Sequence, residues 1–558
     1  MRAGGALAAV AVAATLGAVV AVSPISPVSA APGDPVYREQ QNSTWQVSDG
    51  IVYAMARVGS NLVIGGSFTS LRSPTGTVVA RSRLAMINPV TGAPTSWNPG
   101  ANNTVRALAS DGNRVWAGGL FTTIGGVNRN RLASLVASTG AADGNFKANA
   151  SGEVRALLLH SGKLYAGGFF TWMNGQQRLR AAALSPATGA LDATWRPAVN
   201  DVVRALAPVP GTGTIALGGH FSAVSGQTRR YLASVHETSG AVTGWAPAPD
   251  CDNPSNPCWV LALTATSTLV YGAVAGPGGR VSAWDAGTGA RRWSQYGDGD
   301  VQALALTGGT IYGGGHFDPM FGRIGSTNQT RRQIAAMDAA TGALLPFDPA
   351  VTGSSGIWAM LGEDDGLRIA GDFRTVNGNT SIRRFAVFPA APPPVQLVAA
   401  GATWSYQDSG SDLGTAWREP DFDATGWATG PAQLGYGDGD EATTVAPNRL
   451  TYYFRGTFTA PAGFTPTSLQ LETVRDDGIV VYLNGVEVWR NNMPTGTITA
   501  TTPATLAISG TAESAWLSVT IPASALRSGT NVIAVEVHNN APSSSDASFN
   551  LRLTGSTA

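Results

Sequence analysis

Val105-Arg106-Ala107-Leu108, then Gly118-Gly119-Leu120-Phe121, Arg131-Leu132-Ala133 and Thr139-Gly140, form one copy of a phrase that the chain repeats in the same order. The glycine element returns at Gly65-Gly66-Ser67-Phe68, Gly167-Gly168-Phe169-Phe170, Gly218-Gly219-His220-Phe221 and Gly314-Gly315-His316-Phe317, with a worn copy at Ala370-Gly371-Asp372-Phe373. The interval is about fifty residues, the length of a propeller blade and too long for a leucine-rich or hexapeptide solenoid. Each copy is expected to end in a last strand carrying an aromatic: Trp97, Phe146, Trp195, Trp245, Trp293 or Phe347. Short strands with regular turn signals and no helical period predict an all-β meander. The paired glycines leave room for a neighbouring backbone or ring to approach closely.

First strands at Val52, Val105, Val154, Val203, Val260, Val301 and Ile357 predict a seven-bladed β-propeller over residues 37–389. The seventh copy stops after Arg384-Phe385-Ala386-Val387-Phe388 and lacks its aromatic segment. Trp45 precedes Val52 much as Trp97 precedes Val105, so the segment around Trp45 is expected to complete the last blade. Such a closure removes the exposed edge of an open ring. Over residues 45–388 these phrases resemble the secreted bacterial β-propellers of the delta-sixty repeat group. That resemblance implies a fold and no particular reaction. One stretch, Ala283-Trp284-Asp285-Ala286-Gly287-Thr288-Gly289 before Trp293, looks like the repeat of pyrroloquinoline quinone dehydrogenases. It is a single match among the seven copies, and Trp293 is read as core.

At 558 residues the chain is too long for one ordinary core. Charged residues make up 13% and the net charge is zero, which gives no reason to expect a nucleic-acid partner. Arg2, the apolar stretch Ala6 to Val22 and Val28-Ser29-Ala30 read as a cleaved secretory signal over residues 1–30, and no later segment has the length of a membrane span. A secreted, extracellular protein is expected. Cys251 and Cys258, the only cysteines, flank a short turn-rich span and are expected to form a disulfide.

Residues 390–396 form a proline-rich linker. Beyond it the repeat vanishes, and strand patterns such as Ile479–Leu483 and Val532–Val537, with a hairpin signal at Asn484-Gly485, predict a jelly-roll β-sandwich over 397–558. Gly435-Tyr436-Gly437-Asp438-Gly439-Asp440-Glu441, Asp476-Asp477-Gly478, Tyr482-Leu483-Asn484-Gly485 and Val535-Glu536-Val537-His538-Asn539-Asn540 resemble the galactose-binding-like modules appended to secreted bacterial hydrolases and surface proteins. The resemblance implies a non-catalytic module, often one that binds carbohydrate. Asp438, Asp440 and Glu441 on a glycine-rich loop, and Asp476 with Asp477, offer hard oxygen ligands for calcium; turn chemistry accounts for the same residues. Trp404, Trp417, Trp427 and Trp489 are expected in the core before they are expected on sugar rings.

A repeated unit is a scaffold, so special chemistry belongs where the copies disagree. The residue after the first-strand valine or isoleucine runs Tyr53, Arg106, Arg155, Arg204, Leu261, Gln302 and Trp358. The residue before the repeat phenylalanine includes His220, His316 and Asp372. Together Arg106, Arg155, Arg204, His220, His316, Asp372, Tyr53 and Trp358 are expected on one rim, where arginine and aromatics suit an anionic or carboxylated sugar. The structural alternative is pairing between blades. Arg83, Arg131, Arg180 and Arg384 recur in register and read as structural. The leading expectation is a non-enzymatic protein that binds carbohydrate or cell-surface polysaccharide. The alternatives are an extracellular polysaccharide hydrolase or lyase with its site on the rim, and a structural adhesion protein.

Overall fold

A computed structural model describes residues 37–39, 45–248, 258–276, 278–390, 392 and 394–557. The expected signal peptide and Cys251 lie outside the described residues. The chain divides into two compact units, Met1–Phe388 and Pro389–Ala558. Both are all-β, and among the described residues no helix is long and apolar enough to cross a membrane.

In the first unit, small antiparallel sheets follow one another along the chain. Their first strands are Val52–Val58, Val105–Ser110, Val154–His160, Val203–Val209, Trp259–Ala265, Val301–Thr307 and Val351–Glu363. Each first strand lies beside the next, and Val351–Glu363 lies beside Val52–Val58, which makes the arrangement propeller-like. The glycine pairs explain the spacing of these sheets. A Cβ added to Gly118 would lie 2.6 Å from Val154 of the next sheet, and one added to Gly167 would lie 2.6 Å from Val203. The second glycine of each pair clears a carbonyl of its own sheet, at 2.2 Å from the Thr104 oxygen for Gly119 and 2.1 Å from the Glu153 oxygen for Gly168. The phenylalanine that follows, as in Phe121 and Phe170, is fully buried. Arg83, Arg131, Arg180 and Arg384 adopt positive φ, with backbone N–H groups donating to the carbonyls of Phe68, Phe121, Phe170 and Phe373.

The aromatic segment expected to be a strand is reduced in most copies to single bridges such as Leu135↔Ala142 and Leu184↔Leu191. Prolines beside the aromatics, Pro99, Pro197 and Pro247, supply no N–H for a ladder. The indoles pin neighbouring sheets instead. Trp97 Nε1 donates to the Val136 carbonyl (3.3 Å), Trp195 to His236 (3.1 Å) and Trp245 to Asp285 (2.9 Å). Among the described residues of the first unit, only the sheet beginning at Trp259–Ala265 has a full fourth strand, Arg291–Tyr296, and that strand contains no proline.

At the N-terminal end, Gln46–Val47 pairs with Ser70–Arg72 of the first repeat. Val47 also packs with Phe385 and Val387 of the last sheet, and Arg384 Nη1 donates to the carbonyls of Val47 (3.3 Å) and Ser48 (3.1 Å). Tyr37 is buried against Tyr312, and its hydroxyl donates to the Glu363 carbonyl at 3.0 Å.

The second unit contains two sheets. One includes Val395–Val398, Leu434–Tyr436, Ser468–Asp476, Leu517–Ile521 and Ala547–Ser556. The other includes Thr403–Gln407, Thr451–Ala460, Gly478–Leu483, Val486–Asn491 and Gly529–His538. They share a core in which the Phe549 ring lies 5.0 Å from that of Trp404 and 4.3 Å from that of Phe454. Asn484 and Gly485, both at positive φ, turn Gly478–Leu483 into Val486–Asn491, as their dipeptide predicts.

Candidate functional site

Every first strand of the first unit shifts register at the same place: between Val52 and Ala54, Val105 and Ala107, Val154 and Ala156, Val203 and Ala205, Val260 and Ala262, Val301 and Ala303, and Ile357 and Ala359. The skipped residues are Tyr53, Arg106, Arg155, Arg204, Leu261, Gln302 and Trp358. A β-bulge leaves its extra residue out of the ladder and re-aims its side chain. The positions at which the copies disagree are therefore those relieved of backbone pairing.

These side chains form a chain of contacts. The Trp358 and Tyr53 rings meet edge to face at 5.4 Å, and the Arg106 guanidinium lies 3.8 Å from the Tyr53 ring centre. Arg106 Nε donates to one oxygen of Glu153 and Arg155 Nε to the other, both at 3.0 Å. Arg155 also lies over the Phe169 ring, at 5.1 Å. Arg204 Nε donates to His220 Nε2 at 2.6 Å, and the imidazole stacks on Trp259 at 4.5 Å.

Two guanidiniums thus share the Glu153 carboxylate, and a third, Arg204, is bonded to His220. Burial, then Arg155, lowers Arg204 to about 10. Burial, then Arg204, holds His220 down at about 4, so its Nε2 is an acceptor at neutral pH. Glu153 is 8% exposed, and both its oxygens are engaged by arginine. The patch is cationic and flanked by Tyr53, Phe169, Trp259 and Trp358, an arrangement suited to holding a carboxylate or sulfate against an apolar wall.

Two other expected members make contacts of their own. His316 Nδ1 is 4.0 Å from Asp300 and 3.3 Å from the Gln302 side chain. Asp372 faces Arg384 at 3.6 Å. Sequence reasoning did not single out Glu153 or Trp259. Both stand just before the first-strand valine, where other copies have Ile51, Thr104 and Val202, so comparing copies one position earlier finds them.

In the second unit Trp404 and Trp417 are core residues, each 1% exposed. Glu441 turns back on its own loop, accepting from the N–H groups of Asp438 and Gly439 at 2.9 Å each. Asp440 accepts from Gln433 Nε2 (2.9 Å) and Asp438 from Ser548 Oγ (3.0 Å). Oxygens of Asp438, Glu513 and Asp546 lie within 4.8 Å of one another. Asp477 accepts from the N–H groups of Ile508 (2.5 Å) and Asn540 (2.6 Å), whereas Asp476 is fully buried and neither of its oxygens has a hydrogen-bond donor. Cys258 is buried with Arg280 Nη2 3.8 Å from its sulfur.

No protein-family model and no curated protein matches this chain. Among solved structures, it is similar to the computationally designed Ika8 protein, at 16% identity and a TM-score of 0.39, covering 63% of this chain and 100% of that one. It is also similar to the WD40 beta propeller domain of Doa1, at 12% identity and a TM-score of 0.39, covering 62% of this chain and 96% of that one.

Proposed function

We propose that this is a secreted, non-enzymatic protein that binds an acidic polysaccharide on the rim of its first unit. In this reading the first unit is a seven-bladed propeller of the delta-sixty type, closed by the segment around Trp45. The second unit is a galactose-binding-like jelly roll that adds contacts to the same cell-surface polymer, and Cys251 and Cys258 close a loop by a disulfide. The observation that carries the proposal is the run of Arg106 and Arg155 on the Glu153 carboxylate and Arg204 on His220, walled by Tyr53, Phe169, Trp259 and Trp358. An anionic sugar supplies the charge this cluster lacks, and the rings supply flat faces for its pyranose. Acid–base catalysis draws little support here, because Glu153 is committed to two arginines and His220 to Arg204 and Trp259.

The test is retention of the secreted protein on uronic-acid or sulfated polysaccharides against neutral ones, with released oligosaccharide assayed in parallel. Salt-sensitive retention without product is expected. Arg155→Ala is expected to weaken it by about tenfold or more, the loss of one charge-assisted hydrogen bond. Equal retention on neutral polymers, or soluble product, overturns the reading.

A further inference from the structure

Among the described residues of the second unit, five strands lie at sheet edges, and four of them are built against further pairing. Thr443–Thr444 has two residues, and Ala428–Pro431 carries a glycine and a proline. Val395–Val398 shifts register between Gln396 and Val398. Val486–Asn491 carries Glu487 and Arg490, and its pairing shifts register between Val481 and Tyr482. Short strands, proline, bulges and charge keep a sheet edge from recruiting another strand. The fifth edge, Leu517–Ile521, has none of these devices.

That strand reads Leu517-Ser518-Val519-Thr520-Ile521, uncharged and ending in three β-branched residues. It pairs without a bulge along Ser468–Asp476, from Leu469↔Ile521 to Thr473↔Leu517. Among the described residues no strand lies on its other side, so one row of backbone N–H and C=O groups faces outward. Ser518 and Thr520 are exposed on the outer face. There Gln470 Nε2 donates to Ser518 Oγ (2.5 Å), and Thr520 Oγ1 donates to Gln470 Oε1 (2.9 Å). Val519, opposite the buried Leu471, packs on the core and stays half-buried at the sheet margin. Trp516, just before the strand, is 37% exposed.

We infer that this edge pairs with the same edge of a second copy of the chain, antiparallel about a two-fold axis at Val519. The side chains are self-complementary in that register. Val519 meets Val519 and Leu517 meets Ile521 on the core side, whereas Ser518 meets Thr520 and Trp516 meets Pro522 on the outer face. An order that matches itself in both directions fits a second copy, and a two-fold interface requires such a match. Charge does not oppose the approach. Glu472, opposite Ser518, is held through both oxygens by Arg552 at 2.6 and 2.7 Å, and that guanidinium lies 4.7 Å from the Trp516 ring centre. The inference does not depend on what the first unit binds. Joining two copies doubles every binding site on the chain, which strengthens retention on a repeating polymer.

Sedimentation equilibrium of the full-length protein over a range of concentrations tests this, with amide deuterium exchange as a second readout. A reversible monomer–dimer equilibrium is expected, and the amides of residues 517–521 should gain protection as the dimer forms. Thr520→Lys is expected to weaken the dimer by about tenfold or more, because each substitution enters a two-fold interface twice. Ser518→Lys, at the facing position, gives the same result if folding limits the first variant. Val486→Lys, at an exposed position on an edge of the other sheet, leaves the equilibrium unchanged. Monomer at every concentration overturns the proposal, whether those amides are open or covered by another occupant. So does a dimer that Thr520→Lys and Ser518→Lys leave intact.

Discussion

Arg204 and His220 show how one contact sets a protonation state. With Arg204 Nε donating to Nε2, protonating that nitrogen would place two donors face to face. Burial and the guanidinium both disfavour the imidazolium, so the folded His220 titrates near 4 instead of 6.5. The unfolded chain takes up this proton first. Stability from His220 is therefore complete above pH 6.5 and is lost as pH falls from 6.5 toward 4. An NMR titration of the His220 ring should give a midpoint near 4, and Arg204→Gln should move it upward; a wild-type midpoint near 6.5 would sink this account. At this scale the sequence was informative about which residues differ and silent about partners. Arg106 and Arg155 were visible, while the carboxylate they share was not, because Glu153 sits at a position that reads as ordinary strand lead-in.

The bulge and the glycine that accommodates it form the next level. Gly168 faces the Glu153 carbonyl so closely that Gly168→Ala must push the bulge away. Overpacking of this kind costs about 1–3 kcal/mol, and more where backbone is the obstacle. Denaturant unfolding should show that loss, together with weaker polysaccharide retention, because Glu153, Arg155 and Phe169 all move with the bulge. Unchanged stability would mean that the glycine pair has no steric role. The first three strands of each copy were legible from valine, glycine-phenylalanine and Arg-Leu-Ala alone. The fourth was misread where proline accompanies the aromatic, since an apolar ring marks burial equally well in a ladder or in a pinned loop. Trp97, Trp195 and Trp245 hold sheets together through the indole N–H, which composition alone does not reveal.

Across the whole molecule, each unit has a core of its own. That of the second is built from residues such as Trp404, Phe454, Leu471, Val535 and Phe549. Residues 389–558 expressed alone should unfold in one cooperative calorimetric transition; a broad, non-cooperative melt would show that the core is insufficient. The change from repeat to non-repeat was plain in the sequence. The convergence of Asp438 with Glu513 and Asp546 was hidden, because those acids come from separate segments of the chain. The bulged residues of the first unit carry a different consequence. Because each is exempt from the ladder, it changes by a single codon without disturbing strand pairing, and its constraint is the side chains it touches. Selection can rewrite these positions one letter at a time while the text of the scaffold stays the same.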